Sequence, residues 1–136
     1  MPASSEQPPK RPVKGAARKT AKSDPPAEKP FLRFYHSEVL RVRTLAVLAR
    51  IEEGQDSRQH RDALSEVIME LNVAGMEYYY LRPLGLANVS SRLERSARFG
   101  IGGVVLVMTP VIRTVIKRMK RDELLSVCRH MREIME

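Results

Sequence analysis

Three histidines, a single cysteine and a row of carboxylates are the residues whose types could do chemistry in this chain. A thiol nucleophile needs a base within hydrogen-bond reach, and the nearest histidine in sequence to Cys128 is His130. Two residues apart on a helix, they point about 200° away from each other, which rules out a local Cys-His pair. His36-Ser37-Glu38 packs three polar types too closely along one helix for their side chains to face one another, and His60 lies far from both. Asp62, Glu66, Glu70 and Glu77 recur along a helical stretch, yet the Glu-x-x-His pairing that builds di-iron sites in bundles does not accompany them. They read as a solvated acidic face or as partners for arginines on a neighbouring helix.

Gly100, Gly102 and Gly103 resemble a phosphate-binding loop only in composition. No strand signal precedes them and no Lys-Ser or Lys-Thr follows. With Ser96, the small residues Gly100 and Gly103 would instead let a second helix backbone approach closely. Tyr78, Tyr79 and Tyr80 are consecutive and fan out over about 200°, too widely for one aromatic cage. The expectation is a non-catalytic protein with no cofactor, no metal and no small-molecule substrate.

The elements that would position these residues follow from patterning. Of 136 residues 43% are hydrophobic, enough for one modest core. Residues 1–30 hold seven of the nine prolines and seven basic residues against three acidic ones, a net charge of +4 that cannot bury a core. This segment reads as a disordered basic arm, and 31–136 as the folded domain. The whole chain carries +8, so an anionic partner is favoured. In the arm, Lys10, Arg11, Lys14, Arg18, Lys19 and Lys22 are expected to contact a polyanion, foremost nucleic acid without sequence specificity; in the folded part, Lys117, Arg118, Lys120 and Arg121 form the densest basic cluster. One cysteine cannot form an intramolecular disulfide, and an apolar secretory leader is lacking at the N-terminus, so the expected location is cytoplasmic.

The periodicity predicts an all-α bundle of about four helices. Helix one is placed at 31–53, entered at Pro30 and ended at Gly54. Helix two starts from a capping box of Asp56 with Gln59 and runs until Pro83. A long third helix spans Leu86 to about Met119, bent near Pro110. Asp122 caps a fourth, in which Leu124 or Leu125, Cys128, Met131 and Met135 recur at helical spacing.

The third helix raises a choice between a core helix and a membrane span. Phe99 to Ile116 supplies eighteen mostly apolar residues, roughly 27 Å of helix, against the twenty or so a span requires. On a helical wheel Ile101, Val104, Val105, Met108, Val111, Ile112, Val115, Ile116 and Met119 share one side, opposite Gly102, Gly103, Thr109, Pro110, Arg113, Thr114 and Lys117. That stripe continues back into a segment carrying Arg92, Glu94, Arg95 and Arg98, which favours a core-facing helix of a soluble bundle. The alternative is a peripheral membrane or lipid-inclusion protein that uses the apolar and basic segment 99–121 against an anionic membrane surface.

Helices one and two each show two apolar faces. In helix two Leu64, Val67, Ile68, Leu71, Gly75 and Tyr78 form the core stripe, while Met69, Val73, Met76 and Tyr80 form a second. In helix one Leu40, Thr44, Val47 and Ile51 oppose Tyr35, Val39, Val42, Ala46 and Ala49. One neighbour cannot cover both faces: either these helices sit inside the bundle between neighbours, or the second stripes are exposed for assembly, or an apolar ligand lies between the helices; self-association through Met69, Val73, Met76 and Tyr80, giving a homodimer, is the favoured expectation. The functional expectation is a bacterial-type adaptor or regulator that self-associates and contacts a polyanion.

Overall fold

A computed structural model of the chain describes residues 32–135; the basic arm lies outside them. The described residues are all-α. α1 covers Glu38–Glu52, α2 Arg58–Met76, α3 Arg82–Leu86, α4 Ser91–Arg118 and α5 Arg121–Met135. A π-helical segment, Glu77–Leu81, joins α2 to α3, so 58–86 forms one continuous rod and the described residues build four rods in all.

The helix starts are set by hydroxyl caps. Ser37 Oγ accepts from the Leu40 N–H at 3.1 Å, and Ser57 Oγ from the His60 N–H at 3.2 Å, satisfying donors the first helical turn leaves open. The start predicted at Pro30 therefore falls at Ser37, and the Asp56 cap falls one residue later because Asp56 is engaged by Arg61. α5 starts with half a capping box: Glu123 accepts from the Lys120 N–H at 2.8 Å, so Asp122 only sits in the first turn.

Pro83 does not end the second rod as predicted. A proline inside an α-helix lacks its N–H and crowds the carbonyl four residues back. Here the turn just before it widens, with the Arg82 N–H donating to Glu77 O, and the chain continues helically to Leu86. Asn88, at φ 51°, then reverses the chain into α4 in a left-handed conformation that asparagine tolerates. Pro110 likewise sits within an unbroken α4.

The core lies where the C-terminal half of α1, the N-terminal half of α2, the end of α4 and α5 converge. Leu48, Ile51, Leu64, Leu124 and Cys128 are fully buried, packed with Val47, Val67, Ile116 and Met131. The periodicity of the last helix is borne out by buried Leu124, Cys128, Met131 and Met135. Two buried hydroxyls are satisfied within their own helices, Thr44 by Leu40 O at 2.8 Å and Ser65 by Arg61 O at 2.9 Å. The extended segment before α1 is pinned to the π-helical turn: Tyr79 donates to Arg33 O at 2.6 Å, and Phe34 meets the Tyr79 ring edge-on at 6.4 Å.

Of the doubled apolar faces, α1 turns Leu40, Thr44, Val47 and Ile51 inward and leaves Val39 and Val42 exposed. In α2 the second stripe finds a partner inside the chain. Asp62, Glu66, Met69, Val73, Met76 and Tyr80 follow one another at steps of three and four; the first two are ion-paired to α4, so the N-terminal part of this face points toward α4, while Met76 and Tyr80 line a groove shared with α5.

Candidate functional site

Among the described residues the ion pairs between α4 and α2 lie at one end. Asp62 pairs with Lys117 at 3.4 Å and Glu66 with Arg113 at 3.6 Å; moving one turn up α2 moves one turn back along α4, so the two helices run antiparallel. At the C-terminal end of α4 the Arg61 guanidinium donates to the carbonyls of Ile116 and Met119, both at 2.8 Å, and to Lys117 O at 3.3 Å. Those carbonyls have no partner within the helix, and a cation is favoured at that end of the helix dipole.

Away from this anchor α4 is open. Ile116 is the one buried residue of 99–116; Ala97, Ile101, Val105, Thr109 and Ile112 are half-buried along the inner side. Phe99, Leu106 and Val107 are 84%, 78% and 66% exposed. This overturns the core-facing reading of the whole stripe, since Val104, Met108, Val111 and Val115 are exposed as well. The physical reason lies in the course of the chain. After the turn at Met119, α5 folds back to pack on α1, so among the described residues α4 rests mainly on α2 and the π-helical turn, with only its Ile116 end reaching the core shared with α1 and α5. Among the described residues α4 is the one helix long and apolar enough to cross a bilayer by length and composition.

The outward side of α4 carries its small residues. A Cβ added at Gly100, Gly102 or Gly103 would meet nothing within 4 Å, so the close helix approach expected there is not made among the described residues. Phe99, Leu106 and Val107 stand among the glycines and Thr114 of that side, which mask its apolar character in the helical period. The uncharged run 99–112 was the signal that this side is apolar too.

The sequence-predicted contact residues separate into groups. Lys117 is taken up by Asp62, and Arg121 donates to Ile51 O at 2.6 Å while facing Asp56 at 3.9 Å, so both lock the fold. Arg118 and Lys120 are exposed. At the other end of α4, Arg92 and Arg95 are exposed and Arg98 pairs with Glu94 at 2.9 Å; these were not among the predicted contacts. Of the expected self-association stripe, Met69 is 7% exposed, Val73 and Met76 are half-buried and Tyr80 is open, with Met76 and Tyr80 lining a groove between α2 and α5. It does not present one free surface. Lys10, Arg11, Lys14, Arg18, Lys19 and Lys22 lie outside the described residues.

Two depressions flank α2. The first, about 590 Å³, brings His36, Ser37, Glu70, Glu77, Tyr78 and Arg82 to one cleft. Several of its polar groups already have structural partners: Ser37 Oγ caps α1, Glu70 pairs with Arg43, and Arg82 stacks over the Tyr78 ring at 5.2 Å. The second, about 520 Å³, is an apolar groove between Leu71, Gly75 and Met76 of α2 and Val127, Met131 and Ile134 of α5. Among the described residues no three His, Cys, Asp or Glu side chains come together as metal ligands. Cys128 is fully buried, and desolvation pushes its thiol up to about 11, away from the thiolate a nucleophile needs.

Comparison with protein-family models, curated proteins and solved structures finds no match to this chain.

Proposed function

We propose that this chain is a non-catalytic docking protein whose working surface is the open side of α4 together with the cations at its two ends. The observation that carries this reading is the exposure of Phe99, Leu106 and Val107 on a helix whose inner side is held to α2. A contiguous apolar face of that extent is costly in water and marks a site of interaction. The chemistry around it selects the partner: Arg92 and Arg95 at one end and Arg118 and Lys120 at the other call for negative charge beside an apolar surface. The basic arm, through Lys10, Arg11, Lys14, Arg18, Lys19 and Lys22, adds non-specific attraction to the same kind of polyanion, nucleic acid included.

The test is Leu106→Asp combined with Val107→Asp in the full chain. Circular dichroism and the denaturation midpoint are expected to stay near wild type, while the tendency to associate falls. A collapse of helicity would mean that this side of α4 is core, and the proposal would fail.

Self-association is a second reading, moved from the α2 stripe to α4. The open space around Gly100 and Gly103 favours it, since it would admit the backbone of a second helix. Light scattering distinguishes it: a dimer that the double substitution converts to a monomer supports this reading.

A further inference from the structure

We infer that the partner of α4 is an anionic lipid surface, on which the helix lies in the plane of the interface with Phe99, Leu106 and Val107 inserted. The inference rests on the reading of α4 as a docking surface and adds the chemistry of what covers it.

Charge decides among the occupants. α4 holds six basic residues against one acidic residue, whereas the rest of 32–135 holds eleven of each. The whole net positive charge of the described residues, +5, therefore sits on the one helix whose open side is apolar. With Arg113 and Lys117 paired to Glu66 and Asp62 of α2, two copies joined α4 to α4 would still set +3 against +3 along the seam. A nucleic acid would neutralise the cations but leave Leu106 and Val107 in water. An anionic bilayer does both, because headgroups meet the ends of the helix and the acyl boundary takes its middle.

Geometry sets the orientation. The uncharged run 99–112 is fourteen residues, roughly 21 Å of helix, well short of a hydrocarbon core of about 30 Å. Crossing the bilayer would also break the Glu66–Arg113 and Asp62–Lys117 pairs and strip Arg61 from the α4 carbonyls. Lying flat preserves them all. α2 then supplies the polar side that an isolated interfacial helix would carry itself, and the arginines near residues 92 and 118, some 39 Å apart along the axis, reach the headgroups at both ends.

The test sediments the full chain with vesicles of phosphatidylcholine alone and of phosphatidylcholine mixed with phosphatidylglycerol. The chain contains no tryptophan, so Phe99→Trp adds a single reporter. Binding to the mixed vesicles, a blue shift of the Trp emission, and a loss of roughly tenfold or more in partitioning with Leu106→Asp/Val107→Asp are expected. Leu106→Gln/Val107→Gln replaces that pair if the aspartates unfold the helix. Binding with no blue shift and no effect of either pair would come from the basic arm alone and overturn the inference. If vesicles are ignored but light scattering finds a dimer that the substitutions dissolve, the lipid inference falls and α4 remains the docking surface. If neither vesicle binding nor mass responds, both readings fall.

Discussion

Arg61 and Asp56 form a two-pronged ion pair, Nε to Oδ1 at 2.6 Å and Nη2 to Oδ2 at 2.8 Å, and the remaining Nη1 of the same guanidinium closes the C-terminal end of α4. One side chain thus ties the α1–α2 loop, the first turn of α2 and the end of α4 together. Arg121 also approaches Asp56 Oδ2, at 3.9 Å, while donating to Ile51 O. A planar fork with several donors is what such a junction requires, and a lysine offers one point charge.

Arg61→Ala should lower stability by about 2–4 kcal/mol, since it leaves Asp56 and the α4 carbonyls without their main donor. Arg61→Lys should recover only a minor part of the loss. Chemical denaturation followed by circular dichroism measures both, and a wild-type midpoint for Arg61→Ala would remove the junction from the account.

The pair also predicts an acid dependence. The hydrogen bond from Arg61 holds the Asp56 carboxyl below its ordinary value, with the Arg61 and Arg121 charges adding to the effect. A depressed folded pKa stabilises the fold above the unfolded value, near 3.9, and the contribution is lost as pH falls through the folded pKa. The stability gap between wild type and Asp56→Asn should therefore be constant near neutrality and shrink below about pH 4. A gap independent of pH down to acid unfolding would contradict the pairing.

Burial separates α4 from the core. Leu48→Ala should cost about 2–5 kcal/mol, because Leu48 is fully enclosed. Leu106→Ala should change stability by less than about 0.5 kcal/mol, because its side chain is already in solvent. Equal losses at the two sites would place the outward side of α4 in the core.

Cys128 should be silent toward a thiol reagent in the native chain at neutral pH and react fully once unfolded, since it is buried and its thiol is pushed up to about 11. Cys128→Ser should be less stable than Cys128→Ala by about 1–3 kcal/mol, the cost of an unpaired hydroxyl in an apolar site. Rapid labelling of the native protein would mean that α5 opens.

Gly75→Ala should stabilise the chain by up to about 1 kcal/mol. The added methyl meets the Phe34 ring at an ordinary 3.6 Å, and alanine is the better helix former. A lower denaturation midpoint would show that Phe34 needs the closer approach.

The sequence by itself determined the helical class, the apolar period of each helix and the core of α5, because a 3.6-residue repeat with caps and turn residues acts locally. It also contained the uncharged run 99–112 that the candidate surface uses. It did not decide which of two apolar faces is covered. That depends on where each neighbour runs, and the period of α4 reads the same whether one helix or three lie against it. Met69 was expected at an interface and is buried, because the Asp62 and Glu66 pairs turn its face toward α4. Val104 and Val111 were expected in the core and are exposed, because α5 turns back onto α1 and leaves that side of α4 uncovered. Pro83 was expected to stop a helix, and a single widened turn carries the helix past it. Covering is a property of the assembled bundle: apolar stripes say that burial is favourable, and only the packing says which of them obtain it.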